Sequence, residues 1–405
     1  MAPALEFWFD FSCPYAYLAS TKIEAVAQRT GAELVVCPFL LGGVFRARGT
    51  AQNLATTMGA AKARHTAADL ARHATLFDVP LGVPHHHPMR TVTALRAVLA
   101  AGAPSMDLVH RFYAAYWVRG LDLSNPDDVG EILAEAGLDA DAVLARAATP
   151  EIKDDLRRRT DEALDRGVFG APAMVVDGAL SWGQDRLDEI ERALGGSPPV
   201  ALTADQHRGP VRPVDFWFDY SSPFAYLAAT RVERMFGAAA TWRPMLLGAV
   251  FGAVGTANIP LYAMNEAKRA WSDADSARQA SLAGVALHWP ERFPLHTVLA
   301  LRVTILADPN SGGGRRLVRR IFDACWVEGL DPNEPATIAS LCDEVGLDGP
   351  DLLARASAPE TKAALREATA EAVEAGVFGA PTFVVGSELY WGNDRLQLAL
   401  AEARR

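Results

Sequence analysis

The chain has 405 residues, half of them hydrophobic and 22% charged, with a net charge of −10. That length suits two domains of roughly 200 residues better than one core, and the composition excludes general disorder. The acidic balance, with no basic run to neutralise phosphates, argues against a nucleic-acid partner.

Met1 to Glu6 carries no basic region, and no stretch approaches the ~20 apolar residues that span a bilayer, so a cytoplasmic chain without a membrane partner is expected. Leu5 to Phe11 reads as a short buried strand, and Pro14 begins a helix whose apolar positions run from Ala16 to Arg29. Glu33 to Phe39 reads as a second strand, completing a β-α-β start. From Asn53 to Arg166 the chain is rich in Ala, Leu, Arg and Glu and reads as mostly helical, with Thr149-Pro150-Glu151 as one helix start. Ala173–Val176 and Ala179–Trp182 read as strands around the hairpin signal Asp177-Gly178, before a last helix from Arg186 to Leu194.

The pattern then repeats. Phe7-Trp8-Phe9-Asp10-Phe11-Ser12-Cys13-Pro14 returns as Phe216-Trp217-Phe218-Asp219-Tyr220-Ser221-Ser222-Pro223, an offset of 209. Gly167–Pro172 and Trp182–Leu187 return at the same offset, as Gly376–Pro381 and Trp391–Leu396. Pro38, Leu40 to Gly42 and Pro88 match Pro244, Leu246 to Gly248 and Pro294 at 206, so copy two has lost three residues. It regains them by Trp326, the match of Trp117, and a loop at Ser311 to Gly314 is the expected place. The glycine- and proline-rich segment 196–213 reads as a linker between copy one, 1–195, and copy two, 214–405.

The first turn carries the chemistry. Pro14 at a helix start puts Cys13 at the N-cap, where free backbone N–H groups and the helix dipole favour an anion, so a depressed thiol pKa is expected. In copy two Ser222 stands there; it cannot ionise usefully but can donate a hydrogen bond to a thiolate supplied by another molecule. The other cysteines, Cys37, Cys325 and Cys342, form no C-x-x-C pair, so neither a disulfide scaffold nor a zinc site is indicated. His85-His86-His87 is matched by Glu291-Arg292-Phe293, which argues against a shared metal; a loop bordering the substrate pocket is expected there.

These three separated motifs, found twice in order, resemble the 2-hydroxychromene-2-carboxylate isomerase family, close to kappa-class glutathione transferases and the wider DsbA-like group. The resemblance implies an α/β architecture of two tandem thioredoxin-like domains, each with a helical insertion between its β-α-β and β-β-α halves. It implies glutathione, or another low-molecular-weight thiol, bound beside the helix that the Ser-Pro motif begins. The family's serine matches Ser222, whereas Cys13 resembles the attacking cysteine of DsbA-like enzymes and Ala16 stands where their second cysteine would be. By the same resemblance Pro172 and Pro381 are cis, and Ala171 and Ala380 offer backbone groups to a peptide-like ligand. Gln184, Asp185, Asn393 and Asp394 match positions that hold the γ-glutamyl end, and Asn53 and Asn258 match a further contacting asparagine.

Other readings stand beside these. Asp185 and Asp394 could cap the helices that follow, and Trp182 and Trp391 could be core aromatics. The leading functional expectation is a thiol-dependent isomerase or transferase acting on an electrophilic unsaturated carbonyl, or aromatic-degradation-type, small molecule. The alternatives are an enzyme using Cys13 itself as nucleophile, a thiol-disulfide oxidoreductase, and a fused pseudo-dimer in which one copy is structural.

Overall fold

The computed structural model describes residues 2–198, 209–256 and 260–405; Asn258 lies outside them. Copy one begins β1 (Ala4–Phe9), α1 (Pro14–Thr30), β2 (Glu33–Pro38) and α2 (Leu41–Ala47). The insertion follows as α3 (Ala60–Phe77), α4 (Val92–Ala100), α5 (Met106–Ala114), α6 (Pro126–Glu135), α7 (Ala140–Ala147) and α8 (Pro150–Asp165). Then come β3 (Ala173–Val176), β4 (Ala179–Trp182) and α9 (Leu187–Ala193). Copy two opens with β5 (Val214–Phe218), α10 (Pro223–Phe236), β6 (Ala240–Pro244) and α11 (Leu247–Ala253). It continues with α12 (Glu266–Ala283), α13 (Val298–Leu306), α14 (Gly312–Trp326), α15 (Pro335–Glu344), α16 (Gly349–Ala356) and α17 (Pro359–Glu374), and ends with β7 (Thr382–Val385), β8 (Glu388–Trp391) and α18 (Leu396–Ala403).

Each copy has a four-stranded sheet of the same order, β2-β1-β3-β4 and β6-β5-β7-β8. β1 pairs parallel with β2 through the α1 crossover and antiparallel with β3, which makes it a central strand. A central strand is covered on both faces, which is why Leu5, Phe7, Trp8 and Phe9, broken only by Glu6, read as an apolar run and are all buried. The architecture is the expected pair of thioredoxin folds with helical insertions. By contacts the chain divides into a first unit, Met1–Thr57, Thr66–Ala201 and Asn265–Lys268, and a second, Met58–His65, Leu202–Met264 and Arg269–Arg405.

Local signals act where the sequence places them. Thr149 caps α8, its side chain accepting from Ile152 N, with Pro150 in the first turn. Asp177 and Gly178 both have positive φ, 49° and 77°, and join β3 to β4 with Val176 opposite Ala179. The Ser311–Gly314 segment departs from expectation. It is not a loop: Ser311 Oγ accepts from Gly314 N at 3.0 Å, and the glycines become the first turn of α14. A good N-cap outweighs the poor helix propensity of glycine there.

Candidate functional site

β1 and β5 each end in a turn organised by a buried carboxylate. Asp10 Oδ1 accepts from Ser12 N and Ser12 Oγ, each at 3.0 Å, and from Thr91 Oγ1 at 2.7 Å, while Oδ2 accepts from Leu41 N at 2.8 Å. Asp219 repeats this, accepting from Ser221 N at 2.9 Å and Leu247 N at 2.8 Å. Burial raises the pKa of both carboxyls, and the hydrogen bonds oppose it. The repeated Phe-Asp motif held this signal, but the sequence alone did not reveal that the carboxylate gathers three segments. Asp10→Ala leaves Leu41 N and Thr91 without their acceptor at about 1–3 kcal/mol for each buried donor. A urea midpoint shift corresponding to about 2–5 kcal/mol is expected, with Asp10→Asn, which keeps an acceptor, losing less.

The turn delivers residue 13 or 222 to the start of a helix. Cys13 has φ −101° and ψ 113°, and Ser222 φ −102° and ψ 115°, extended N-cap geometry before a proline in the first turn. Ala171-Pro172 and Ala380-Pro381 are cis, as the resemblance implies, and so are His87-Pro88 and Phe293-Pro294. The Cys13 thiol donates to Ala171 O at 3.0 Å, and the Ser222 hydroxyl donates to Ala380 O at 2.9 Å while accepting from Ala225 N at 3.1 Å.

The two N-cap residues differ in more than element. Burial pushes the Cys13 thiol up to about 12, with the charge of Asp10 adding to it, against the lowering effect of the N–H groups of Ala16 and Tyr15. The expected depression does not occur. A helix N-terminus lowers a thiol pKa where water or a cation also reaches the sulfur; here the residue is only 8% exposed and its sulfur faces a carbonyl oxygen.

The Trp-Gly-x-Asp segments stand against the cis prolines. Gly183 N donates to Pro172 O at 3.1 Å and Gly392 N to Pro381 O at 3.0 Å. These glycines have φ of 110° and 112°, a conformation L side chains rarely adopt, and a short 3₁₀ turn follows each. That turn carries Gln184 and Asn393, 3% and 4% exposed. Gln184 Nε2 is buried with no hydrogen-bond partner among the described residues. Asn393 Oδ1 accepts from Arg231. Asp185 and Asp394 pair with the adjacent Arg186 and Arg395 at 3.6 and 3.0 Å.

Trp182 lies on Phe169 with ring centroids 5.0 Å apart, and a Cβ at Gly170 would stand 2.7 Å from its Nε1. In the first unit Lys268 Nζ lies 5.1 Å from the Trp182 ring; in the second Lys62 Nζ lies 5.4 Å from the Trp391 ring and Trp391 N donates to His65 Nε2 at 3.2 Å. No motif marked these three residues. Asn53 is not drawn into the group: its Oδ1 accepts from Ala55 N at 3.0 Å and caps a 3₁₀ turn, Leu54–Thr57. Cys325 and Cys342 are buried in α14 and α15, as packing residues.

Residues 4–195 and 213–403 each match the family model of the DSBA-like thioredoxin domain. A 2-hydroxychromene-2-carboxylate isomerase of Sphingobium xenophagum is 32% identical over 195 residues, covering 48% of this chain and 99% of that protein. A glutathione S-transferase kappa 1 of Homo sapiens is 25% identical over 224 residues, covering 49% of this chain and 96% of that protein. A solved 2-hydroxychromene-2-carboxylate isomerase aligns at 29% identity with a TM-score of 0.41, over 46% of this chain and 91% of that one. No helix among the described residues is long and apolar enough to cross a membrane.

Proposed function

The chain belongs to the DSBA-like thioredoxin domain family, which it matches twice, and from that premise we propose a glutathione-dependent isomerase or transferase acting on an electrophilic, unsaturated carbonyl compound. The observation that carries this reading is the Ser222 hydroxyl. It has one proton, which rests on Ala380 O, and one backbone donor, Ala225 N, already aimed at its oxygen. A ligand that gives Ala380 O a peptide N–H frees that proton for a sulfur anion. A peptide thiol such as glutathione has an N–H close to its thiol; a simple alkyl thiol does not.

The residues present fit such a group. Gln184 Nε2 in copy one, a buried donor with no partner among the described residues, suits a carboxylate, and Asp185 and Asp394 are acidic partners for an α-amino group. Ala171 and Pro172, and Ala380 and Pro381, would hold the peptide portion, with Gln184 or Asn393 at its γ-glutamyl end. Glutathione, when bound, supplies a thiolate that can add to a conjugated carbonyl compound, let a former double bond rotate, and leave. Ser222 would hold that sulfur as the anion through a charge-assisted hydrogen bond.

Burial, which pushes the Cys13 thiol up to about 12, disfavours Cys13 as a self-ionised nucleophile. Thiol-disulfide exchange also lacks a second cysteine, Ala16 standing in that place. Dependence on a reduced thiol fits a cytoplasmic setting. On this reading the copies, 1–195 and 214–405 about the linker 196–213, form an intramolecular pseudo-dimer, since the family model matches twice in tandem within one chain. Sedimentation equilibrium should then give one 43.5 kDa species; self-association into larger species counts against it.

The test is turnover of trans-4-phenyl-3-buten-2-one with glutathione, with 2-mercaptoethanol, and with neither. Glutathione-dependent turnover well above that with 2-mercaptoethanol is expected. Turnover indifferent to every thiol and to Ser222→Ala would sink the reading.

A further inference from the structure

We propose that His87 donates a hydrogen bond to the substrate's carbonyl oxygen in copy one and gives that copy a preference for carbonyl-bearing electrophiles. The inference rests on the thiolate-addition reading above.

The loop between α3 and α4 is tied at both ends to the first turn of copy one. Tyr17 Oη donates to Pro80 O at 3.1 Å, and Thr91 Oγ1 donates to Asp10 Oδ1 at 2.7 Å. Between these ties His87 lies on Trp117, ring centroids 5.0 Å apart, and Trp117 Nε1 donates to Phe11 O, two residues before Cys13, at 2.9 Å. The loop that carries His87 is thus fixed to the turn that presents Cys13.

Hydrogen-bond counting assigns the tautomer. His87 Nδ1 is 2.8 Å from Tyr116 Oη, which also accepts from Met89 N at 3.0 Å. The phenol proton is left to donate to Nδ1, so the neutral ring carries its own proton on Nε2, where no partner stands among the described residues. Burial lowers the His87 pKa and keeps the ring neutral near pH 7. Tyr116 lies in a five-residue π-helical turn, Ala115–Arg119, a distortion that recurs at functional sites.

Copy two shows that the fold does not need this pair. At the matching positions stand Phe293 and Cys325, so both partners of the hydrogen bond are replaced together by apolar side chains. Phe293 there packs on Trp289, ring centroids 5.1 Å apart, just before the same kind of cis bond. Removing both partners of a buried hydrogen bond can be nearly neutral for stability, so a part-exposed His87 bonded to a buried Tyr116 in one copy alone points to a ligand.

Isomerisation needs no net proton transfer; in net addition to the probe enone the proton lost by the glutathione thiol ends, by way of solvent, on the α-carbon. A sulfur–carbon bond forms at the β-carbon, the double-bond pair moves onto the carbonyl oxygen, and Nε2–H binds the charge that develops there. Return of the pair after rotation breaks the sulfur–carbon bond.

The test uses the full chain carrying Ser222→Ala, so that copy one is read, with glutathione and two probes. trans-4-Phenyl-3-buten-2-one places charge on oxygen during addition; 4-nitrobenzyl chloride reacts by displacement of chloride and does not. His87→Phe, the residue copy two uses, should lower the enone rate at least tenfold and leave the chloride rate within twofold, and His87→Gln, which keeps an N–H donor, should retain more. Nitrogen-15 spectra of the thiol-free protein at pH 7.5 should show the His87 proton on Nε2, and Tyr116→Phe should disturb it. An enone rate that survives His87→Phe, equal losses with both probes, or a proton on Nδ1 overturns this inference alone. No catalysed addition left in the Ser222→Ala chain overturns this inference, and no catalysed addition in the parent with Ser222 intact overturns the thiolate-addition reading as well.

Discussion

Native Cys13 is expected to show no ionisation step between pH 5 and 9 and to react with iodoacetamide at pH 7.5 on the order of a hundredfold more slowly than a free cysteine. The reason is the balance at the N-cap. Two backbone N–H groups favour the thiolate, but burial against Ala171 O and the carboxyl of Asp10 oppose it, and burial is the larger effect. The native pKa, about 12, lies above the ~8.5 of an unfolded cysteine, so the fold stabilises the protonated form. That contribution is fully present below the unfolded value and is lost as pH climbs toward the native one. Peptide mapping after timed alkylation checks Cys13 site by site. A rapid phase at Cys13 with an apparent pKa near 6 or 7 would restore the self-ionised nucleophile.

Ser222→Ala should lower glutathione-dependent turnover in copy two by about 10- to 100-fold, the effect of losing a hydrogen bond worth about 1.5–3 kcal/mol to a charged acceptor. The same change removes the side-chain cap on Ala225 N, a loss of about 1 kcal/mol in stability. Ser222→Thr separates the two effects. It keeps a hydroxyl at the cap and should recover much of the rate, whereas equal rates for parent and Ser222→Ala would leave the hydroxyl without a chemical role.

The elements legible in the sequence were those fixed by local chemistry. A proline after the N-cap, Thr149-Pro150 and Asp177-Gly178 each act within a few residues, and each marks its helix start or hairpin correctly. The repeat made the second sheet legible from the first. What could not be read depends on distant neighbours. The raised Cys13 pKa arises from burial against a carbonyl 158 residues away, and the role of Asp10 needs Leu41 and Thr91 brought to one point. The Ser311–Gly314 segment misled because three glycines outweigh one serine on propensity, whereas the serine's cap decides the structure. Asn53 matched a ligand position by resemblance but spends its side-chain oxygen on its own turn.

The four cysteines of the chain provide a dark background for the decisive measurement. Burial pushes Cys13 and Cys37 up to about 12 and Cys342 up to about 11, and it raises Cys325 as well. The protein alone should therefore show no thiolate absorbance near 240 nm at pH 7. Added glutathione should produce such absorbance beyond that of free glutathione, and the increment should shrink in Ser222→Ala. Thiolate absorbance in the protein before any thiol is added, or an increment unchanged by Ser222→Ala, would contradict the account.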